Sequence, residues 1–436
     1  MNLLFDATEL SYYNENSGHR AGVFYVALNL LRELQHLGVN ITFVCDFKRY
    51  YFMKSIEEFK DIPLLEENSL CNKLVAKILY LTDKLPIRIK YAFLIMARFY
   101  DKYFYRVNKK NSEQLKGFDT YFSPFTPPSK EISASNLKRF RMIHDVIPII
   151  ENGMPKSPKD WYYKIYSDIN GQDFYLTNSE YTKSDVLKYF PFIKESHIKT
   201  TLLGTRIGLC EDCDITPPQP SPSEEGASSV TSPQPSPVRR GSDFQTKLSK
   251  EGSINFGKYV FSLCTLGKRK NVLFGIKNFF EFIEKYNIKD LKLVLGGGVW
   301  KKFEGELEGV LNKYDRSKIV LTGYIQEQEL AQYYSSALCF IYPSLYEGFG
   351  LPVLEAMQCG CPVITSNRSS LPEVIGDAGI QINPESDEEM VEALKKMYFD
   401  SDYREKCIQK GLERAKNFSW EKCASELLEF IQTNCV

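Results

Sequence analysis

Short apolar runs alternate with longer stretches of helical spacing along most of this chain. Leu3-Leu4-Phe5 is a strand-length run, residues 23–37 carry apolar side chains at three- and four-residue intervals up to Gly38, and Ile41-Thr42-Phe43-Val44 is the next strand. Strand, helix and strand in that order predict parallel pairing with a crossover helix. The rhythm returns at Tyr259-Val260-Phe261-Ser262-Leu263, residues 291–295, Ile319-Val320-Leu321 and Phe340-Ile341-Tyr342, each alternating with a longer helical stretch. The pattern predicts an α/β protein of two doubly wound, Rossmann-like units. Its 436 residues exceed what one hydrophobic core usually holds.

Two segments break the rhythm. Residues 209–253 contain an imperfect repeat, Thr216-Pro217-Pro218-Gln219-Pro220-Ser221-Pro222 returning as Thr231-Ser232-Pro233-Gln234-Pro235-Ser236-Pro237. Such a composition buries no core, and two copies make no solenoid. It reads as an extended insertion between domains, with a ligand role toward an SH3-type module as the alternative. Four parts follow: residues 1–208, the insertion at 209–253, a second domain at 254–415, and a final helix at 416–436 packing back on the first domain.

The second segment, residues 71–110, is basic and aromatic. Lys73, Lys77, Lys84, Arg88, Lys90, Arg98, Lys102, Arg106, Lys109 and Lys110 face only Asp83 and Asp101. A helix of this kind suits an anionic membrane surface. It equally suits a helix resting its apolar face on its own domain.

Composition narrows the classes. Acidic and basic residues balance at 55 each, so no global field points to nucleic acid. The start Met1-Asn2-Leu3-Leu4-Phe5-Asp6 is not that of a signal peptide, and no apolar run approaches the roughly 18–20 residues of a membrane span. A cytoplasmic protein is expected, with peripheral attachment to the inner face of the membrane as an option. The eleven cysteines are scattered through apolar patterns and read as buried thiols. Cys210 and Cys213 have metal-like spacing, but no second pair or flanking histidine completes a zinc site.

The densest chemistry follows the strand Phe340-Ile341-Tyr342. There Glu347-Gly348-Phe349-Gly350-Leu351-Pro352 leads into a helix carrying Glu355. Open α/β sheets bind ligands at strand C-termini, glycines admit close approach, and the free amides of a helix start accommodate phosphate oxygens. Carboxylates beside an anion site suit sugar hydroxyls, although Glu355 alone is also a favourable charge near a helix N-terminus. After the strand ending at Leu263 stand Lys268, Arg269 and Lys270, cations able to neutralise a diphosphate without a metal. Gly296-Gly297-Gly298 would let a nucleotide approach the backbone, and no GxGxxG fingerprint is present. In the first half, Ser17-Gly18-His19-Arg20-Ala21-Gly22 forms a glycine-containing loop, and His144-Asp145 ends an apolar run where a structural role is as natural as a catalytic one.

The run Tyr346-Glu347-Gly348-Phe349-Gly350-Leu351-Pro352-Val353-Leu354-Glu355-Ala356-Met357, with Gly360-Cys361-Pro362-Val363-Ile364 and Ser370-Leu371-Pro372-Glu373-Val374, resembles glycosyltransferase family 4. The likeness extends to Thr265-Leu266 and Arg269-Lys270-Asn271, Gly323-Tyr324-Ile325, His144-Asp145-Val146-Ile147-Pro148 and Asn178-Ser179-Glu180-Tyr181-Thr182-Lys183-Ser184-Asp185. It covers most of the chain outside residues 45–115 and the insertion. The resemblance implies a GT-B fold, two Rossmann-like domains facing across a cleft, the first on the acceptor side and the second holding a nucleotide sugar. It implies a retaining hexosyltransferase, with GDP-mannose as the favoured donor and a lipid-linked or oligosaccharide acceptor, in cell-surface polysaccharide synthesis.

By the same resemblance, Glu347, His144 and Lys270 would be catalytic, with Glu347 near the reacting carbon and His144 beside the sugar's primary hydroxyl. Arg269 and Lys270 would hold the diphosphate, Glu355 the ribose, Gly22 the phosphates, and the backbone of Tyr324 and Ile325 the base. Gly348, Phe349, Gly350 and Leu351 complete the donor turn. No metal or other cofactor is implied. Thr265 stands where some members carry arginine, and Gly267-Lys268 where Glu-Pro is common. A sugar-nucleotide epimerase of similar fold and a non-catalytic member of the fold are the rival readings.

Overall fold

The computed structural model describes residues 1–12, 22–65, 70–82, 93, 95–97, 114–160, 162–205, 256–265, 267–298 and 304–435. The insertion at 209–253, most of the basic segment, and Ser17 to Ala21 of the glycine-containing loop lie outside them. Two compact units form: Met1–Arg206 with Glu347–Leu351 and Phe418–Val436, and Ile207–Tyr346 with Pro352–Asn417.

The first unit is built on a six-stranded sheet of order β2-β1-β3-β4-β5-β6. Its strands are β1 (Asn2–Asp6), β2 (Asn40–Val44), β3 (Thr120–Ser123), β4 (Lys138–Ile143), β5 (Phe174–Thr177) and β6 (Ile198–Thr200). Every neighbouring pair is parallel. Phe5 anchors the centre, with Phe43 and Phe122 rings 6.1 and 5.6 Å away. Helix α1 (Gly22–His36) buries Phe24, Val26, Leu30 and Leu34, the periodic face read from the sequence. Helices α2 (Leu70–Thr82) and α3 (Glu180–Tyr189) belong to the same unit.

The final helix, Trp420–Cys435, packs against α1. Its Trp420 Nε1–H donates to Thr205 O at 2.7 Å. Gly204 makes room for that indole, because a Cβ there would lie 2.7 Å from the ring. Strand β4 was legible only in its last two residues, since arginines interrupt it. Arg141 is nevertheless buried, donating to Phe125 O at 3.1 Å, to Asp168 Oδ1 at 2.7 Å and to Ile165 O. A buried charge is tolerated when its donors are satisfied in this way.

The second unit carries the sheet β12-β11-β10-β7-β8-β9, with β7 (Lys258–Leu263), β8 (Leu291–Gly296), β9 (Ile319–Gly323), β10 (Cys339–Tyr342), β11 (Val363–Ser366) and β12 (Ile380–Ile382). All pairs are again parallel. The chain runs outward from β7 through β8 to β9, then returns to the other side of β7 for β10, β11 and β12. This is the doubly wound order, and its reversal lies between β7 and β10. Helix α4 (Val272–Lys285) buries Ile276, Phe279 and Phe282 in the same core as Met390, Leu394 and Met397. Helices α5 (Glu327–Ser335) and α6 (Leu351–Gln358) precede and follow β10.

The glycines after β8 are explained by the protein's own packing. A Cβ on Gly297 would lie 1.9 Å from Cys264 O, and its φ of +108° disfavours any side chain. A Cβ on Gly296 would meet Ile325 and Leu263 within 3 Å, and only Gly298 has open space beside it. Packing within the unit is by itself sufficient to require glycine at Gly296 and Gly297. Gly297→Ala should destabilise the second unit by about 2–4 kcal/mol through strain and overpacking, and Gly298→Ala by less than about 0.5 kcal/mol. Equal urea midpoints for the two variants would contradict this packing.

Candidate functional site

The reversal between β7 and β10 is where a doubly wound sheet offers a crevice, and the second unit places its cations there. Lys268–Lys270 form one turn of 3-10 helix just beyond β7. Arg269 Nη1 donates to Tyr346 O at 2.5 Å, Leu345 N donates to Arg269 O at 2.9 Å, and Ser344 Oγ donates to the same carbonyl at 3.2 Å. The segment after β10 is thereby tied to the segment after β7. Lys270 Nζ donates to the Tyr342 hydroxyl at 2.6 Å and lies 5.0 Å from its ring centroid, a cation–π arrangement. Lys268 points elsewhere, to an exposed ion pair with Glu306 at 2.9 Å. Of the three cations, Arg269 and Lys270 are the pair gathered at the switch point.

Glu355 sits on α6 and is fully buried. Its Oε2 accepts a hydrogen bond from the Tyr334 hydroxyl at 3.0 Å, and Tyr334, near the end of α5, is itself buried. Tyr324 and Ile325 follow β9 at the same C-terminal edge of the sheet. Tyr324 is 45% exposed, while Ile325 is buried with its side chain toward Gly296.

Glu347, Gly348, Phe349, Gly350 and Leu351 group with the first unit, whereas the sequence boundaries had placed them in the second domain. The reason is local. Gly348 O accepts from Ser179 Oγ at 2.8 Å and from Thr182 Oγ1 at 3.0 Å, and Phe349 packs its ring 6.0 Å from Phe418. A Cβ on Gly348 would lie 2.2 Å from His144 O, so only glycine fits. Gly350 has a φ of +113°, again a conformation suited to glycine. A Cβ on Gly22, which opens α1, would lie 3.7 Å from Leu351 Cδ1. The first unit thus collects Gly22, His144 and the whole Glu347–Leu351 turn, with Glu347 buried.

His144 follows β4, and its Nε2 lies 2.7 Å from Pro124 O. A carbonyl can only accept, so Nε2 carries the proton and Nδ1 is the acceptor. Burial pushes this imidazole down to about 4, which keeps it neutral at physiological pH. At the end of β1, one strand removed from β4, Asp6 accepts from Tyr121 OH at 2.5 Å and from Thr8 N at 2.9 Å, and burial raises its carboxyl above the usual range.

Sequence reasoning missed Tyr334 and Tyr342, which orient Glu355 and Lys270. Ser179 and Thr182 were read only as part of a motif. Ser-x-x-Thr at a helix start was the available signal for the last two, and Ser179 is indeed the N-cap of α3. The nine cysteines among the described residues are free thiols, and Cys210 and Cys213 lie outside them.

Two parallel, helix-flanked six-stranded sheets give the chain the GT-B fold, and solved structures agree in fold. The chain is similar to sucrose-phosphate synthase from Thermosynechococcus elongatus (TM-score 0.62, 15% identity, 99% of this chain and 98% of that one). It is also similar to Anabaena Alr3699/HepE in complex with UDP and glucose (TM-score 0.59, 14% identity, 99% and 100%). Residues 243–414 match the family described as Glycosyl transferases group 1. Over 178 residues the chain is 35% identical to the O-antigen chain mannosyltransferase B of Escherichia coli, covering 39% of this chain and 44% of that protein. The chain spans less than half the length of the curated relatives it matches.

Two outcomes follow from the site's geometry. Tyr334→Phe leaves a buried carboxylate short of a donor and should cost about 1.5–3 kcal/mol; an unchanged unfolding midpoint would refute the Tyr334–Glu355 bond. His144 is harder to protonate folded than unfolded. Its contribution to stability is therefore complete above the ordinary histidine value near 6.5 and is progressively lost as pH falls toward about 4. NMR should show its ring unprotonated at pH 5, and titration near 6.5 would contradict the burial argument.

Proposed function

We propose that this chain is a retaining glycosyltransferase of family 4 that moves mannose from GDP-mannose to a hydroxyl of a lipid-linked or oligosaccharide acceptor in cell-surface polysaccharide synthesis. The observation that carries the reading is the convergence of Lys270 and Arg269 with the segment after β10 at the switch point of the second unit. That convergence offers fixed positive charge where a diphosphate leaving group would develop its own. The name of the Escherichia coli relative supports mannose and O-antigen chains, and a HepE structure in complex with UDP-glucose supports a nucleotide-sugar donor.

In this reading Lys270 and Arg269 take the diphosphate, and no metal is required. Glu355, held by Tyr334, accepts hydrogen bonds from the ribose hydroxyls. Glu347 receives the sugar's hydroxyls near the anomeric carbon. Neutral His144 presents Nδ1 as an acceptor for the primary hydroxyl. The bond from the anomeric carbon to the phosphate oxygen breaks, and the acceptor oxygen bonds to that carbon from the same face. The acceptor's proton passes to the departing phosphate, so configuration is retained without a dedicated base.

An acceptor on a lipid would be met at a membrane surface. No helix among the described residues is long and apolar enough to cross a bilayer, but α2 offers a peripheral contact. Ala76 and Leu79 face inward, while Leu74 is 61% and Leu81 63% exposed, with Lys77 also exposed. Exposed leucines flanked by cations match an anionic leaflet.

Glu355→Ala should remove about two charged hydrogen bonds, roughly 3–6 kcal/mol if they add, and lower kcat/KM by about 10²- to 10⁴-fold. A loss below threefold would contradict the assignment. Thermal-shift measurement with GDP, UDP and ADP sugars should favour GDP-mannose, and a response to UDP sugars alone would replace the donor. Leu74→Ser with Leu81→Ser should reduce sedimentation with anionic liposomes, while unchanged sedimentation would remove the membrane contact.

A further inference from the structure

We infer that Ser179 and Thr182 are positioning residues for Glu347, acting through the carbonyl of Gly348. The inference rests on the proposed role of Glu347, but its geometry stands by itself.

Ser179 does two things with one hydroxyl. Its oxygen accepts the N–H of Thr182 at 3.0 Å, capping α3, while its proton goes to Gly348 O at 2.8 Å. Thr182 Oγ1 donates to the same carbonyl at 3.0 Å. Both residues are fully buried, so water does not compete for these bonds. A carbonyl oxygen has two lone pairs, and the two hydroxyls occupy both.

The opposite side of Gly348 is equally constrained. A Cβ there would fall 2.2 Å from His144 O and 2.9 Å from Asp145 Cβ, so the residue is pressed against the end of β4. Helix α3 grips its carbonyl while the backbone at His144 fixes its Cα. Glu347 is the preceding residue, and its Cα is joined to Gly348 through a planar peptide. Fixing Gly348 therefore restricts where the Glu347 carboxylate can point. It also keeps the turn beside the segment carrying His144, the other first-unit residue assigned to the sugar.

A hydroxyl needed only to cap α3 would not require Thr182 Oγ1 at all, because the cap uses Ser179 Oγ and the Thr182 amide. Thr182→Val thus separates the two functions. It preserves shape and cap while removing one donor to Gly348 O.

The test uses the full chain, GDP-mannose as the donor probe and three variants: Thr182→Val, Thr182→Ser, and Ser179→Ala combined with Thr182→Val. Thr182→Val should lower kcat about tenfold with donor KM changed less than twofold, as expected when an interaction orienting a reacting group is loosened. Thr182→Ser should restore kcat to within twofold, and the double variant should lose about a hundredfold. Hydrogen exchange at the amides of Gly348 to Leu351 should accelerate in Thr182→Val and return to the wild-type rate in Thr182→Ser. Wild-type kcat per folded molecule in Thr182→Val, even with a lowered melting midpoint, would overturn the inference. Unchanged exchange in that variant would overturn it too, whether or not the wild-type chain turns over. A wild-type chain inactive toward every nucleotide sugar would instead sink the proposed reaction.

Discussion

Parallel pairing is the constraint from which the site arises. Every strand in both sheets runs in one direction, so each needs a crossover to return, and every segment leaving a strand emerges at the same edge of its sheet. In the second unit the winding reverses beside β7, and the crossovers depart to opposite sides. The segments after β7 and β10 are left adjacent at that point, with no helix laid over them by the intervening winding. Residues separated by some 72 positions, Lys270 and Tyr342, become hydrogen-bonded neighbours for that reason. The cations need no special scaffold beyond the fold itself.

Close backbone packing then shapes the edge. Glycine occurs where one segment presses on another: Gly297 against Cys264, Gly348 against His144. In both cases an absent side chain admits a protein carbonyl rather than a ligand. The difference between them lies in what the neighbouring residues carry. Gly297 is surrounded by strand ends that hold the sheet together, whereas Gly348 adjoins Glu347 and the segment bearing His144. Similar packing thus occurs beside the core of the second sheet in one place and beside candidate site residues in the other.

Much of this was legible from residues alone. The apolar alternation located β1, β2, β7, β8, β9 and β10 to within about two residues, because each is a compact apolar run set between longer stretches of helical spacing. The strands that escaped notice, such as β3 and β5, are four residues long with polar or half-buried ends. Arg139 and Arg141 disguised β4, since burial of arginine depends on partners, among them Asp173 and Asp168, that lie elsewhere in the chain.

The candidate site residues stand out in the sequence as well: Glu347, Glu355, Arg269, Lys270 and His144 lie in short polar clusters after strands. Local order determined which side chains follow which strand, because that depends on neighbours along the chain. The partners were decided by tertiary structure alone. Tyr334 beneath Glu355, Tyr342 beside Lys270, and Ser179 with Thr182 on Gly348 join elements 21, 72, 169 and 166 residues apart. The same holds for the Glu347–Leu351 turn, whose membership in the first unit follows from those bonds. Periodicity encodes which face of an element is apolar, but a hydrogen bond between distant elements exists only once packing has brought its donor and acceptor within reach.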